Sequence, residues 1–253
     1  MTLTILSLSE PAGRIVRRCA AIASVAVVSG CSAPMATAVI NDPYEVENRQ
    51  MHAFNVAADR NVLKPAATAI SGDGNGPVQR GVNNFAGNLD VPGDVVNNIL
   101  QFRLGKAAAN TARFVVNTTV GVGGIFDPAT AIGLNGKKTD FGETMYVWGV
   151  DEGHYLVLPL LGPSTARDAL GKVVDYAINP VGMLIKAPES YVVTGAKVIE
   201  TLGDRAQHSE TVDSILYDSA DSYAQTRLLY LENRRYDLGQ TPADTTFEDP
   251  YAQ

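Results

Sequence analysis

The sequence predicts a mainly α-helical protein with long loops and one or two short extended segments. Apolar residues recur at roughly helical spacing through most of the chain after residue 42. Clusters of glycine and proline separate these stretches from one another. The clearest extended apolar run covers residues 155–161, and the sequence contains no internal repeat. The length suits one large domain or two small ones.

Residues 1–30 have the pattern of a lipoprotein signal peptide. Three arginines precede an apolar run at 19–28, which is too short for a spanning helix of roughly 20 residues. The run ends in Val28-Ser29-Gly30-Cys31, which resembles the lipobox of bacterial lipoproteins. We therefore expect Cys31 to be lipidated and to become the first residue of the mature chain. The alternative is an ordinary signal peptide with a chance cysteine.

Acyl chains on Cys31 would hold the protein on a membrane, because each buried CH₂ contributes ~0.8 kcal/mol. Ser32 follows the cysteine where an aspartate would resemble an inner-membrane retention signal, so the outer membrane is favoured. Residues 31–41 are small and polar and predict a flexible tether. Residues 239–253 are polar and acidic and predict a disordered tail.

The composition excludes some functions. Removal of residues 1–30 would take away three arginines and one glutamate, which moves the formal net charge from −7 to −9. Such an acidic chain is a poor partner for nucleic acid, whose phosphates require Lys and Arg. Cys31 would be the only remaining cysteine, so we expect neither a disulfide nor thiol chemistry.

The predicted helices follow in order along the chain. We expect a helix over 44–63, capped by Asp42 and interrupted at Lys64-Pro65, and another over 78–88. Pro92 predicts a new helix start before 94–102, and 106–116 continues as a helix. After the extended run we expect helices at 164–177, 189–207 and 211–236, with a broken segment at 179–188.

The stretch at 121–127 is apolar and dense in glycine. It carries few charged residues, and so do the two predicted helices before it, 94–102 and 106–116. Either a buried core or a surface in the lipid interface would explain this composition. The sequence places the buried core slightly ahead.

None of the candidate catalytic, metal-binding or cofactor-binding motifs is complete. Residues 133–139 lack the first glycine and the hydroxyl of a phosphate loop, and Phe126 replaces the last glycine of a dinucleotide fingerprint. The three histidines lie far apart, so a zinc site is not expected. Ser164 lacks a nucleophile elbow and is read as a helix cap with Thr165. Arg167 and Asp168 are adjacent on a helix, where side chains point apart, so separate structural contacts are expected. We predict no enzyme activity, metal or cofactor.

Several long motifs follow one another along the chain. The first block holds Asp42-Pro43-Tyr44-Glu45, Asn48-Arg49 and Phe54-Asn55. The middle blocks hold Asn84-Phe85, Asn88-Leu89, Pro92, Asn97, Leu100-Gln101, Arg113-Phe114, Asn117-Thr118-Thr119, Gly121, Gly123-Gly124 and Asp127. The later blocks hold Phe141-Gly142, Trp148-Gly149-Val150, 155–159, 161–165 (with Gly162 and Pro163), Arg167-Asp168, Tyr223, Arg227 and Tyr230-Leu231. Together, in this order, the motifs resemble the MlaA (VacJ) family of outer-membrane lipoproteins.

The resemblance implies a single ring-like helical domain over 42–238 that lies in the membrane plane, in the inner leaflet of the outer membrane. A polar pore would remove mislocalised phospholipid from the outer leaflet and pass it to a soluble periplasmic carrier, beside a trimeric porin. The expected pore or gate residues are Asn117, Thr118, Gly121, Gly123, Gly124 and Asp127. A plain role of these residues in turns and helix caps remains an alternative.

Three other functions remain open. A binding protein would enclose its ligand in a closed pocket and would not lie in the membrane plane. A scaffold lipoprotein would hold an envelope assembly together without moving lipid, and would need no polar channel. A lipid hydrolase would require a Ser–His–Asp arrangement, which three scattered histidines do not favour.

Overall fold

A computed structural model describes residues 40–71 and 76–240. The predicted signal peptide, Cys31, most of the tether and residues 241–253 of the predicted tail lie outside the described residues, as do positions 72–75. The described residues from Asn41 onward form one compact unit.

The mainly helical prediction is confirmed, and short extended segments are present as expected. The helices are α1 (Glu45–Ala58), α2 (Lys64–Ser71), α3 (Pro77–Leu100), α4 (Leu104–Thr119), α5 (Pro128–Ala131), α6 (Phe141–Val147), α7 (Ala166–Ile178), α8 (Pro180–Leu184), α9 (Glu189–Gln207), α10 (Ser209–Leu216) and α11 (Ser222–Asp237). Two strands, β1 (Tyr155–Leu158) and β2 (Gly162–Thr165), pair antiparallel.

The predicted interruption at Lys64-Pro65 is wrong. A π-helical turn, Asp59–Leu63, connects α1 directly to α2. Proline has no N–H for the carbonyl four residues earlier, and its ring would collide with that carbonyl in a regular α-helix. The wider π turn immediately before Pro65 accommodates the ring, so the helical path continues.

The predicted break at Pro92 is also wrong, because Pro92 lies inside the 24-residue helix α3. An internal proline costs a helix roughly 3 kcal/mol. Helix α3 packs against both α4 and α9, and this packing stabilises one continuous helix. Helix α9 also packs against α2, so α3 and α9 lie at the centre of the helical layers.

The hairpin of β1 and β2 replaces the predicted helix start at 163–165. Tyr155 pairs with Thr165 and Leu158 with Gly162. Ser164 is buried in β2 and does not cap a helix, whereas the Thr165 side chain accepts a hydrogen bond from the Asp168 N–H and caps α7. Ser164 and Thr165 were both expected to cap the helix, but strand pairing holds Ser164 in β2 and only Thr165 is a cap.

Helix α1 closes the other edge of β1 with two side-chain amides. The Asn48 amide donates to the Tyr155 carbonyl at 3.1 Å and accepts from the Val157 N–H at 2.9 Å. Three residues further along the chain, the Asn55 amide donates to the Leu158 carbonyl at 2.9 Å and accepts from the Leu160 N–H at 2.8 Å. An amide carries the same donor and acceptor as a peptide group, so α1 supplies the partners that a third strand would supply.

The predicted helix over 211–236 is two helices, α10 and α11. The break at 217–221 contains residues that favour turns, and the Asp221 side chain accepts from the Ala224 N–H at 3.0 Å to cap α11. Helix α9 has the predicted bounds.

Asp42 does not cap α1, contrary to expectation. Its carboxylate accepts hydrogen bonds from Asn48, at 2.9 Å, and from Tyr223 and Arg227 of α11. Burial alone would raise the pKa of Asp42, but these hydrogen bonds lower it below its ordinary value. The start of the folded domain is thereby bound to its last helix.

We expect Asn48→Ala to destabilise the protein by about 3 kcal/mol, because it leaves the buried Tyr155 carbonyl and Val157 N–H without partners. Urea unfolding followed by circular dichroism measures this change. Asn61→Ala is the matched control, since Asn61 is exposed and bonds only within its own helix. Equal midpoints for the two variants would contradict the proposed role of the Asn48 amide.

Candidate functional site: a polar cavity

A cavity of about 380 Å³ lies between α3, α4, α9 and the segment 127–138. This volume is within the range of small-molecule sites, roughly 300–1,000 Å³. Polar side chains dominate its wall, and we call it the polar cavity. It is lined by Asn83, Asn84, Gly87, Asn88, Val91, Asp94, Asn110, Arg113, Asn117, Asp127, Thr130, Asn135, Gly136, Lys138, Glu200 and Asp204.

Asparagines of α3 and α4 hold the irregular segments of the wall in place. The Asn110 amide donates to the Lys137 carbonyl at 3.1 Å and accepts from the Lys137 N–H at 3.2 Å. Asn84 donates to the Ile125 carbonyl at 3.1 Å. The loops at 121–127 and 133–138 are therefore positioned by side-chain amides, without a strand.

An ionic cluster forms one end of the polar cavity. Asp127 caps α5 by accepting from the Thr130 N–H and hydroxyl, and it also accepts from Asn117 at 3.0 Å and from Arg113. Burial alone would raise the pKa of Asp127, but these hydrogen bonds lower it below its ordinary value. Arg113 also donates to the Leu134 carbonyl at 2.9 Å, so both charges are fixed in position.

The predicted gate residues are partly brought together. Asn117 and Asp127 line the polar cavity, and Thr118 accepts a hydrogen bond from Asn88 on its wall. Gly124 has φ +97°, and a Cβ there would lie 2.6 Å from the Asn88 side chain. Both its positive φ and this close approach require glycine.

The other two glycines have different surroundings. A Cβ on Gly121 would lie 2.4 Å from the carbonyl oxygens of Asn117 and Phe126, so this glycine is required for close packing of the turn. Gly123, with φ +72°, has no neighbour within 4 Å of a Cβ position and faces away from the packed side of the loop. The assignment of these residues to a gate stays a prediction.

The motif residues of the N-terminal block lie outside the polar cavity. Asn48 and Asn55 hold β1, as described above, and Arg49 forms a bidentate pair with Asp221 at 3.0 and 2.9 Å. Phe54 is about half exposed. Gly162 and Pro163 belong to β2. These residues join α1, the hairpin and α11 into one body.

Asp168 is the centre of a buried network. It accepts from the Tyr230 hydroxyl at 2.6 Å and from Arg234 at 2.9 and 3.0 Å, and Arg234 also binds Asp140. Burial would raise the pKa of Asp168, and the hydrogen bonds from Arg234 and Tyr230 lower it overall. Arg167 donates to the Val150 carbonyl, whereas Asp168 is bound by Tyr230 and Arg234. Most partners of these two adjacent residues are therefore separate, as expected.

One part of that expectation is wrong. The Arg167 guanidinium also reaches the Asp168 carboxylate of the next residue, at 3.4 Å. Burial of both side chains excludes water, so the long arginine folds back to the nearest anion.

A histidine–serine pair occurs where the sequence did not indicate one. His52 lies 2.9 Å from the Ser222 hydroxyl, beside a second cavity of about 350 Å³. The neighbouring carboxylate of Asp221 is bound by Arg49 and by the Ala224 N–H. Asp221, the carboxylate that a catalytic triad would use, is therefore bound to groups other than His52. The histidine–serine pair connects α1 with α11.

The sequence analysis missed Asp94, which is 9% exposed and lines the polar cavity. Its Oδ1 accepts from the Thr139 N–H at 3.0 Å. Burial is the main reason that its pKa is raised from 3.8 to about 6. A lone acidic residue within the apolar run 91–100 was the available signal. Buried ionisable groups without a charged partner cluster at functional sites.

The fold and the polar cavity define a mainly helical protein with a cavity lined by polar side chains. The chain belongs to the MlaA lipoprotein family, whose model matches residues 40–237, so the resemblance found in the sequence is confirmed.

Individual relatives agree with this assignment. A protein of Rickettsia felis is 36% identical over 189 residues, which are 74% of each chain. A Haemophilus influenzae protein named as the intermembrane phospholipid transport system lipoprotein MlaA is 31% identical over 224 residues, 85% of this chain and 88% of the relative. A solved structure that concerns the structural basis for maintenance of bacterial outer membrane lipid asymmetry superposes with a TM-score of 0.67 at 30% identity, covering 78% of this chain and 98% of the other.

Asp94→Asn should stabilise the protein increasingly as the pH rises. The folded-state pKa of Asp94 lies above its unfolded value, so stability is lost as the pH rises from about 4 to about 6. An asparagine carries no charge to desolvate, so the variant should gain about 2 kcal/mol over the wild type between pH 4 and pH 7.5. Urea unfolding across this range measures the difference.

Asp90→Asn is the control for this prediction, because the Asp90 side chain is 41% exposed and paired with Lys197. Parallel stability curves for wild type and Asp94→Asn would contradict the raised pKa.

Proposed function

We propose that this protein is an outer-membrane lipoprotein that removes mislocalised phospholipid from the outer leaflet and thereby maintains lipid asymmetry. The observation that carries the proposal is the polar cavity inside a domain whose relative is named for intermembrane phospholipid transport. The proposed transport involves no covalent step, so it requires binding groups and no nucleophile.

The chemistry of the cavity suits a phospholipid headgroup. A headgroup that crosses hydrocarbon loses its water, and an unpaired polar group costs several kcal/mol there. Six asparagines on the wall offer donors and acceptors that replace this water. The acyl tails would remain in lipid while the headgroup passes along the amides.

An exposed apolar surface supports the proposed position in the membrane plane. It comprises Ile99, Phe102, Leu104, Val147 and Trp148, which are between 40% and 86% exposed. The Trp148 indole N–H donates to the Leu100 carbonyl at 3.1 Å, so the two segments of this surface lie side by side. Within the described ranges, no helix is long and apolar enough to cross a bilayer. Lateral burial of this surface, with acyl chains on Cys31, would hold the domain in the inner leaflet.

The remaining parts of the proposal concern partners and the gate. We propose that the protein works beside a trimeric outer-membrane porin and that a soluble periplasmic carrier accepts the lipid. The turn at 121–124 would act as the gate, since it contacts Asn88 on the cavity wall through Gly124.

Deletion of the gene should increase phospholipid in the outer leaflet, because the proposed activity removes mislocalised phospholipid from that leaflet. The measurement is enzymatic labelling of surface-exposed phospholipid in intact cells, with the complemented strain as control. An unchanged content of outer-leaflet phospholipid in the deletion strain would count against the proposed function.

Gly87→Trp should block transport without unfolding the domain. Gly87 lines the polar cavity and has no neighbour within 4 Å of a Cβ position, so the indole would occupy cavity space. Gly195→Trp is the matched control, since Gly195 is also helical with open space but does not line the cavity. Complementation of the deletion strain by Gly195→Trp alone is the expected result. Full complementation by both variants would favour the scaffold function.

A further inference from the structure

The wall of the polar cavity carries a buried carboxylate with one described donor and a buried amide oxygen with none. Asp94 is 9% exposed, and the only hydrogen bond to its carboxylate within residues 40–71 and 76–240 comes from the Thr139 N–H to Oδ1. Its Oδ2 accepts no hydrogen bond from those residues. Asn88 is 4% exposed, and its Oδ1 also lacks a partner in that part of the chain. Because leaving such groups unpaired is costly, a ligand of this cavity should bring donors.

The charges that face Asp94 show which donor fits. Asp90, on the same helix, and Asp175, on α7, are anions that raise its pKa, and Lys138 is the cation that lowers it. On α9, Glu200 and Asp204 add negative charge to the cavity wall. No described cation lies within ion-pair distance of Asp94, although buried carboxylates normally have one.

The cationic side of the cavity is formed by Arg113 and Lys138. Arg113 of α4 is engaged by Asp127. Lys138 is exposed at the cavity and forms no ion pair with the described residues. The wall therefore offers a carboxylate that lacks a cation and an ammonium that lacks an anion.

A metal ion fits this arrangement poorly. In the described part of the chain, no group of three or more His, Cys, Asp or Glu side chains is placed to hold a metal. A primary ammonium needs only one carboxylate and hydrogen-bond acceptors, which the wall provides.

We propose that Asp94 binds the primary ammonium of a phosphoethanolamine headgroup, with the phosphate of the same headgroup directed to Lys138. The inference rests on the proposed function and deepens it, because it makes the cavity selective for zwitterionic amine lipids over anionic ones. In phosphoethanolamine two carbons separate the ammonium from the phosphate oxygen, so one headgroup can present both charges to neighbouring parts of the wall.

The Asp94 carboxylate is therefore a specificity-determining group. Phosphatidylglycerol has no cation for it and would place its negative phosphate in an acidic cavity. Phosphatidylcholine has a cation but no N–H to donate. Affinity should decrease from phosphatidylethanolamine through phosphatidylcholine to phosphatidylglycerol.

The test is binding of dihexanoyl forms of these three lipids to the full-length protein in mild detergent, measured by calorimetry. Asp94→Asn keeps the shape of the side chain and the acceptor for Thr139 but removes the charge. It should weaken binding of the ethanolamine lipid about tenfold, as loss of one charge-assisted hydrogen bond does, and leave the glycerol lipid unchanged or stronger. Asp90→Asn should change neither. Lys138→Gln should weaken all three lipids alike, because they share the phosphate.

Protonation gives a second readout. Asp94 has a pKa of about 6, so the wild-type preference for the ethanolamine lipid should decrease between pH 7.5 and pH 5, and Asp94→Asn should show no such change.

The outcomes separate this inference from the proposed function. Wild type that binds all three lipids, with an ethanolamine-to-glycerol ratio unaffected by Asp94→Asn, would overturn the role of Asp94 and leave lipid transport standing. Wild type that binds none of them would overturn both. Glycerophosphoethanolamine, which has the headgroup without tails, should bind more weakly than the lipid. Equal binding would assign the site to a free headgroup and overturn the lipid assignment.

Discussion

The structure depends on asparagine amides that pair with backbone. Asn48 and Asn55 complete the free edge of β1, Asn110 pairs with both polar groups of Lys137, and Asn117 accepts from the Ala129 N–H. A primary amide presents a donor and an acceptor side by side, as a peptide group does. Helices can thus hold irregular segments without additional strands. Where no backbone segment covers them, asparagine side chains leave a polar surface, and the polar cavity is such a place.

Ion pairs connect parts of the chain that are distant in sequence. Arg227 of α11 reaches Asp42 at the start of the domain, and Arg234 binds both Asp140 and Asp168. Asp42 and Asp168 each accept several hydrogen bonds, which lower the pKa of both carboxyl groups despite their burial. Asp94 differs because it is buried with one backbone donor and no described cation. The fold tolerates this cost at the wall of the cavity, which is where a ligand cation would remove it.

Sequence periodicity located most helices but misjudged several of their ends. Pro65 and Pro92 both read as breaks, yet a π turn accommodates the first and packing of α3 between α4 and α9 outweighs the second. The single helix expected over 211–236 divides at Asp221, a cap signal present in the sequence but hidden by the flanking apolar residues. The candidate gate residues Asn117 and Asp127 could be found because the family motif marks them. For Asp94 the sequence offers only a lone acidic residue within 91–100, because its burial without a nearby cation depends on packing that no local pattern encodes.

The sequence by itself determined the family, the helical class and the absence of a recognisable catalytic motif, because these rest on ordered motifs and residue types along the chain. Tertiary structure alone decided which asparagines meet backbone and which line a cavity, since residues such as Asn84 and Asn135 are distant in sequence and share a wall only after packing. It also decided the electrostatics. The difference between the pKa of Asp42, which is lowered, and that of Asp94, which is raised, comes from the donors that folding brings to each carboxylate.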